Sequence, residues 1–168
     1  MTVAWAGDSP AWLFRRGRDG AKVEAVALIK PHHPDREDEA ARITSLGGEV
    51  RRETRMLDSG EAVPWGPLRV FNAGAADKGG IALSRALGLA SHTTVISSTP
   101  DIVNLERNAD DLFLVIGSDG VFEVLSPHDI CGIIEASAEV QKGAEAVIDA
   151  VLQAGAPDNA CIVVIDLS

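Results

Sequence analysis

Three aspartates stand where hydrophobic runs meet turns. Asp119 follows Leu112-Phe113-Leu114-Val115-Ile116-Gly117-Ser118, Asp158 precedes Asn159-Ala160-Cys161-Ile162-Val163-Val164-Ile165, and Asp8 lies between Gly7 and Ser9. The two longer runs are apolar enough to be strands buried on both faces, which puts the carboxylates of Asp119 and Asp158 at the edge of a core. An unpartnered carboxylate there costs roughly several kcal/mol, so hydrogen bonds, a cation or a metal must offset it. Mg and Mn take oxygen ligands, a few carboxylates plus retained waters, and aspartates on converging strand ends suit them chemically. The plainer reading is that an aspartate at a strand-to-turn junction caps the turn. Three such acids in one chain favour the metal.

The remaining candidates for chemistry are weaker. His32 and His33 lie between Pro31 and Pro34, and adjacent side chains of extended backbone face opposite ways, so they make a poor zinc pair. Asn72-Ala73-Gly74-Ala75-Ala76-Asp77-Lys78-Gly79-Gly80 has the look of a phosphate loop. Its lysine precedes the final glycines and no Ser or Thr follows, so a surface loop is expected. His92 and His128 are isolated and read as satisfied or solvated. No Gly-x-Ser-x-Gly elbow and no Cys with a supporting His motif occurs, which leaves nucleophilic hydrolase chemistry little support. Cys131 and Cys161 sit in apolar runs far from Cys-x-x-Cys spacing, the pattern of buried, reduced thiols.

At 168 residues the chain can bury one domain's core without staples. A formal net charge of -10 repels nucleic acid and anionic membranes, so neither is an expected partner. The N-terminus lacks the charged and apolar regions of a signal peptide, and no apolar stretch is long enough to span a bilayer. A cytoplasmic or nuclear location is the expectation.

The elements that must position the three aspartates follow from punctuation and periodicity. Thr2 to Ala6 reads as a strand, Gly7-Asp8-Ser9-Pro10 as a turn, and Ala11 to Arg15 as the hairpin partner. A turn at Gly17-Arg18-Asp19-Gly20 leads to a third strand, Val23 to Ile29, giving an antiparallel meander. Asp35 is placed to cap a helix running to Leu46, stopped by Gly47-Gly48 and with a thin apolar stripe of Ile43 and Leu46. Glu49 to Gly80 looks irregular, with a short strand at Leu68 to Phe71. Ile81 to Leu87 is helical in composition, and Thr93 to Ser97 and Leu112 to Ser118 are strands. Ser126-Pro127 opens one helix, Val140 to Leu152 forms another, and Ala160 to Asp166 is the last strand. Strands at both ends with helices outside make an α+β layered domain.

Gly7-Asp8-Ser9, Pro31-His32-His33-Pro34, Arg42-Ile43 with Gly47-Gly48, Ile81-Ala82-Leu83-Ser84-Arg85-Ala86-Leu87-Gly88, Phe113 to Ser126 and Asp158-Asn159 resemble, in that order, the later motifs of the PP2C (PPM) metal-dependent serine/threonine phosphatases. The resemblance covers nearly the whole chain. Its most specific parts are Ser118-Asp119-Gly120 with Phe122-Glu123-Val124-Leu125-Ser126, and Asp158-Asn159 before the last strand.

The resemblance implies a sandwich of two antiparallel sheets flanked by helices, with a Mg or Mn cluster, two ions in the complete domain. Asp119 and Asp158 match metal ligands, and Asp8 matches an accessory one. The implied reaction is hydrolysis of phosphoserine or phosphothreonine on protein substrates by a metal-activated water, without a covalent enzyme intermediate. The family's Asp-Gly-His-Gly-type motif, its phosphate-binding arginine and its proposed general-acid histidine have no counterpart here, so residues 1–168 read as a single, N-terminally truncated phosphatase domain. Smaller departures are Pro10 for arginine, Leu89 for aspartate and Phe122-Glu123 for Trp-Asp. A sandwich so divided has uncovered sheet edges and one uncovered inner face, which predicts poor stability or association with another chain. The alternative expectation is a non-catalytic, phosphatase-like binding or regulatory module.

Overall fold

In chain order the strands are β1 (Thr2–Trp5), β2 (Ala11–Arg16), β3 (Val23–Ala27), β4 (Glu49–Met56), β5 (Ala62–Phe71), β6 (Asp101–Asn104), β7 (Asp111–Gly117) and β8 (Ile162–Asp166). The helices are α1 (Glu37–Ser45), α2 (Asp119–Phe122), α3 (Pro127–Glu135) and α4 (Val140–Gln153). The computed structural model describes residues 1–17, 22–74, 79–89, 94–156 and 158–168. These form two compact units, one of Met1–Val3, Ser9–Lys30 and Ile102–Ser168, the other of Ala4–Asp8 and Pro31–Asp101. The class is α+β with antiparallel sheets, as expected.

The first unit is built on a four-stranded sheet in the order β3-β2-β7-β8, every neighbour antiparallel. Register puts Trp12 opposite Val115 and Phe14 opposite Phe113, while Val115 faces Val164 across the other side of β7. Paired residues share a face, so these side chains form one apolar surface. That surface packs with Val121, Ile130, Ile134, Val147 and Val151 from the three helices. The rings of Phe14 and Phe113 stack at 4.9 Å between centroids. In α4, Gly143, Val147 and Val151 recur at helical spacing on the buried face. A Cβ on Gly143 would come within 3.1 Å of the Ile134 backbone, so glycine lets α3 and α4 approach.

Helix α3 starts where the sequence places it. Ser126 Oγ accepts from the Asp129 amide at 3.2 Å, and Asp129 Oδ2 accepts from the Ser126 amide at 3.1 Å, a reciprocal capping box with Pro127 in the first turn. Ser126→Ala is expected to cost about 1 kcal/mol in urea denaturation. A change within experimental error would assign the cap no energetic role.

The second unit has its own small core of Ile43, Val70, Val95 and Ile96. Gly48 fits beneath it because a Cβ there would lie 2.8 Å from both Ile43 and Val95 side-chain carbons.

Several expectations are corrected. β1 pairs with β6, not with β2, and β2 instead lies between β3 and β7. β2 keeps its expected partner β3 on one side, but on the other its main-chain partners come from β7, about a hundred residues later, which local turn chemistry does not reveal. The stretch expected to be irregular after Glu49 is a long hairpin of β4 and β5. Its prolines are tolerated because each strand of a two-stranded ribbon is an edge. A register shift between Arg51 and Glu53 accommodates Gly66, at φ 74, and Pro67. The turn at its tip is closed by the Leu57 amide on Glu61 O and uses Gly60 at φ 82.

Ile81 to Leu87 is not helical. Its amides are taken by other segments: Ile81 donates to Val70 O, Ser84 to His32 O and Ala86 to Ser97 O. Ser97 joins Arg85 in a single parallel bridge, so a strand over the described part of 93–97 is absent. Helix α1 is preceded by Arg36, not Asp35, and Leu46 is exposed while Glu39 shares the buried face with Ile43. β8 is half-exposed, with Val163 and Ile165 open, because an edge strand here covers the core with one face only. Of the cysteines, Cys131 is buried and Cys161 exposed. Burial, with Glu135 beside it, pushes the Cys131 thiol up to about 12, which keeps it protonated and inert. Much of the turn expected at Gly17 to Gly20, the middle of the Asn72 to Gly80 loop, His92 and Thr93 lie outside the described residues. Among the described residues no helix is long and apolar enough to cross a membrane.

Candidate metal centre

The turn after β7 and the turn before β8 are locked together by small residues. Ser118 Oγ donates to Asn159 O at 3.0 Å and accepts from the Cys161 amide at 3.1 Å. The Ser118 amide donates to Cys161 O at 2.9 Å. One residue therefore ties both turns with three hydrogen bonds. Two glycines permit the approach: a Cβ on Gly120 would sit 2.6 Å from Asn159 O and 3.4 Å from the Asp158 carbonyl carbon, and one on Gly117 would meet Cys161 O at 3.1 Å. Asp119 and Asp158, flanking these contacts, are thus carried on adjoining turns of the first unit.

Each carboxylate is anchored in the same manner. Asp119 Oδ1 accepts from the Gly120 amide at 2.9 Å, and Asp158 Oδ1 accepts from the Asn159 amide at 2.7 Å. In both, the second oxygen has no hydrogen-bond partner among the described residues. Both residues are exposed, which corrects the expectation of carboxylates at a core margin. With both side chains exposed, burial does not drive a need for compensation. What remains is two negative groups on neighbouring turns, each fixed through one oxygen and open through the other. That donor set fits a hard cation such as Mg, which binds one or two carboxylates and keeps several waters. Among the described residues no three His, Cys, Asp or Glu side chains gather where they could hold one ion.

Asp8 belongs to the second unit. Its Oδ2 lies 3.5 Å from His33 Nε2. His33 is half exposed and His32 fully buried, so the neighbouring rings face opposite ways as extended backbone requires.

The sequence marks Ser118 and Gly120 as part of a motif but does not show that they set this geometry, although a run of Gly117-Ser118-Asp119-Gly120 is itself a signal of close backbone approach. Nor does it show a buried ionic network in the second unit. Glu39 is 1% exposed, yet its Oε1 accepts from Arg85 Nε and Nη2 at 3.0 and 2.7 Å, and its Oε2 from Arg42 Nη2 at 2.7 Å. Burial alone would raise the Glu39 carboxyl, but the hydrogen bonds from Arg85 and Arg42 and the charge of Arg42 outweigh it and hold it at about 2. Arg85 continues to Asp101 Oδ1 at 2.8 Å. Its carboxyl, lifted by burial, is held below its ordinary value by the His32 hydrogen bond and the Arg85 charge.

The chain as a whole is similar to known proteins. Protein phosphatase 1E of Mus musculus is 31% identical over 172 residues, an alignment covering 99% of this chain and 20% of that protein. Protein phosphatase 1F of Mus musculus is 31% identical, with 99% of this chain and 32% of the relative covered. The chain thus spans about a fifth to a third of the length of these relatives. Among solved structures, a C. elegans sex determining protein superposes with a TM-score of 0.77 at 25% identity, covering 99% of this chain and 36% of that one. A serine-threonine phosphatase 2C from Toxoplasma gondii gives 0.71 at 18% identity over 97% of this chain and 52% of its own, a likeness of fold. The sequence model of the family described as protein phosphatase 2C matches residues 1–160, and the chain belongs to that family.

Proposed function

We propose that this chain is part of a metal-dependent protein serine/threonine phosphatase, that residues 1–168 lie within a single phosphatase domain, and that Asp119 and Asp158 hold Mg or Mn, with Asp8 as an accessory ligand. The observation that carries the reading is the Ser118 tie, which keeps the two aspartate turns adjacent with one carboxylate oxygen of each left open. When bound, the metal supplies Lewis acidity that activates water for attack on phosphorus. The chain's own contribution is to fix where the two carboxylates stand. Gly120 gives the turns room to touch, and the Gly120 and Asn159 amides hold Oδ1 of each aspartate so that the open oxygens do not rotate freely. Such preorganisation lowers the ordering cost of binding a cation. Phosphoserine and phosphothreonine proteins are the substrates proposed.

Calorimetric titration with Mn tests the site. Asp119→Asn and Asp158→Asn are each expected to weaken Mn binding about tenfold or more, a loss of roughly 1.4 kcal/mol per tenfold. Mn-dependent hydrolysis of a phosphothreonine peptide should fall in parallel. Unchanged Mn affinity in both variants would remove the ligand assignment. Asp119-dependent Mn binding without hydrolysis would instead assign a non-catalytic, phosphatase-like binding module.

A further inference from the structure

His32 is fully buried and uses every polar group it has. Its backbone amide donates to Gly7 O at 3.0 Å, and its carbonyl accepts from the Ser84 amide at 2.8 Å. The Gly7 amide donates to the ring Nδ1 at 3.1 Å. An Nδ1 that accepts is unprotonated, so the neutral ring carries its proton on Nε2, which donates to Asp101 Oδ2 at 3.1 Å. The ring also stacks on Trp5 at 5.8 Å between centroids. Both main-chain groups of Gly7 are therefore held by one residue.

Gly7 is an unusual place to be held. Its φ of 145 belongs to a region that side-chain-bearing residues rarely adopt, while a Cβ there would meet nothing within 4 Å. The requirement for glycine is thus conformational and not steric, and the conformation directs the chain into Asp8. Nothing else among the described residues is shown bonding the Gly7 main chain. Behind His32, Asp101 is fixed by Arg85, and Arg85 by the buried Glu39 of α1, so the clamp rests on an ionic frame anchored in the helix.

We infer that His32 is a positioning residue for the Gly7-Asp8 turn, acting as an Nδ1 acceptor whose tautomer is set by Asp101. The link to metal binding rests on the assignment of Asp8 proposed above. The clamp itself does not.

Two variants separate the two ends of the ring, because an Asn side chain can offer an acceptor near Nδ1 and a Gln side chain a donor near Nε2. In His32→Gln the Gly7 amide should exchange with deuterium about tenfold faster than in the parent, the effect of one lost hydrogen bond, and His32→Asn should restore most of the protection. Equal exchange in the two variants would overturn the proposal. A readout free of any folding defect is the nitrogen NMR of His32 in the unsubstituted protein, where a protonated Nε2 with an unprotonated Nδ1 is expected at neutral pH. The reverse tautomer, or a doubly protonated ring, overturns it. Mn titration of Asp8→Asn addresses the other reading separately: unchanged affinity there removes the metal role of Asp8 and leaves the clamp to be decided by exchange and tautomer.

Discussion

Glu39→Ala should destabilise the protein by about 3–5 kcal/mol, the cost of breaking a buried ion pair by removing one partner. Among the described residues the carboxylate is the only acid shared by Arg42 and Arg85, with oxygens 2.7 Å from each guanidinium. Without it, two partly buried cations stand together, and only Arg85 retains a carboxylate, Asp101. Arg42 would keep its bonds to the Val95 and Ser84 carbonyls, which satisfy donors but do not neutralise charge. Glu39→Gln keeps shape and part of the hydrogen bonding, so its loss should be smaller.

The pH dependence has a definite sign. The Glu39 carboxyl is held at about 2 against an ordinary 4.5, so its folded form is the more acidic. Its stabilisation is fully present above about pH 4.5 and is lost as pH falls towards 2, on the order of 3 kcal/mol in total. Urea denaturation at a series of pH values checks this: the parent should lose stability through that window, and Glu39→Gln should lose less. Parallel curves for the two proteins would show that Glu39 is not the group responsible.

Gly120→Ala is the second large effect, and here two local rules disagree. Gly120 lies in α2 with no positive φ, so helix propensity taken alone makes alanine better by about 0.5–1 kcal/mol. Packing says the reverse. The new Cβ would fall 2.6 Å from Asn159 O and 3.2 Å from its carbonyl carbon, and these are backbone atoms that cannot turn aside as a side chain would. We expect a loss of about 2–3 kcal/mol from overpacking, or a displaced Asp158 turn. In either case Mn binding should weaken more than in Asp158→Asn, because both carboxylates lose their common placement. Gly132→Ala in α3 is the control: a Cβ there meets nothing within 4 Å, so propensity should win and stability rise slightly. Like responses at Gly120 and Gly132 would mean that the contact with Asn159 carries no weight.

Legibility varied along the chain with the range of the forces involved. β7, β8, α3 and α4 were readable because each is specified locally, by an apolar run, a Ser-Pro start, or recurring Gly143, Val147 and Val151. The β4–β5 hairpin was not, since Pro64, Pro67 and Gly66 mimic a loop until the two strands pair and a bulge absorbs them. Ile81 to Leu87 has a helical composition but no helix, because composition says nothing of the distant carbonyls that take its amides.

For the candidate centre, the ordered motifs of the sequence were enough to place the chain in the phosphatase family and to mark Asp119, Asp158 and Asp8 as candidates for a metal. Only the tertiary structure decided how they are held. Spacing along the chain contains no information on whether two turns about forty residues apart touch; Ser118 bonding to Asn159 and Cys161 does. Nor could adjacent histidines reveal that one is exposed beside Asp8 while the other is buried beneath Gly7 and tied to an ionic frame. Asp119 and Asp158 are exposed groups carried on two turns that small residues hold together, because close backbone approach, not burial, fixes the place of those turns.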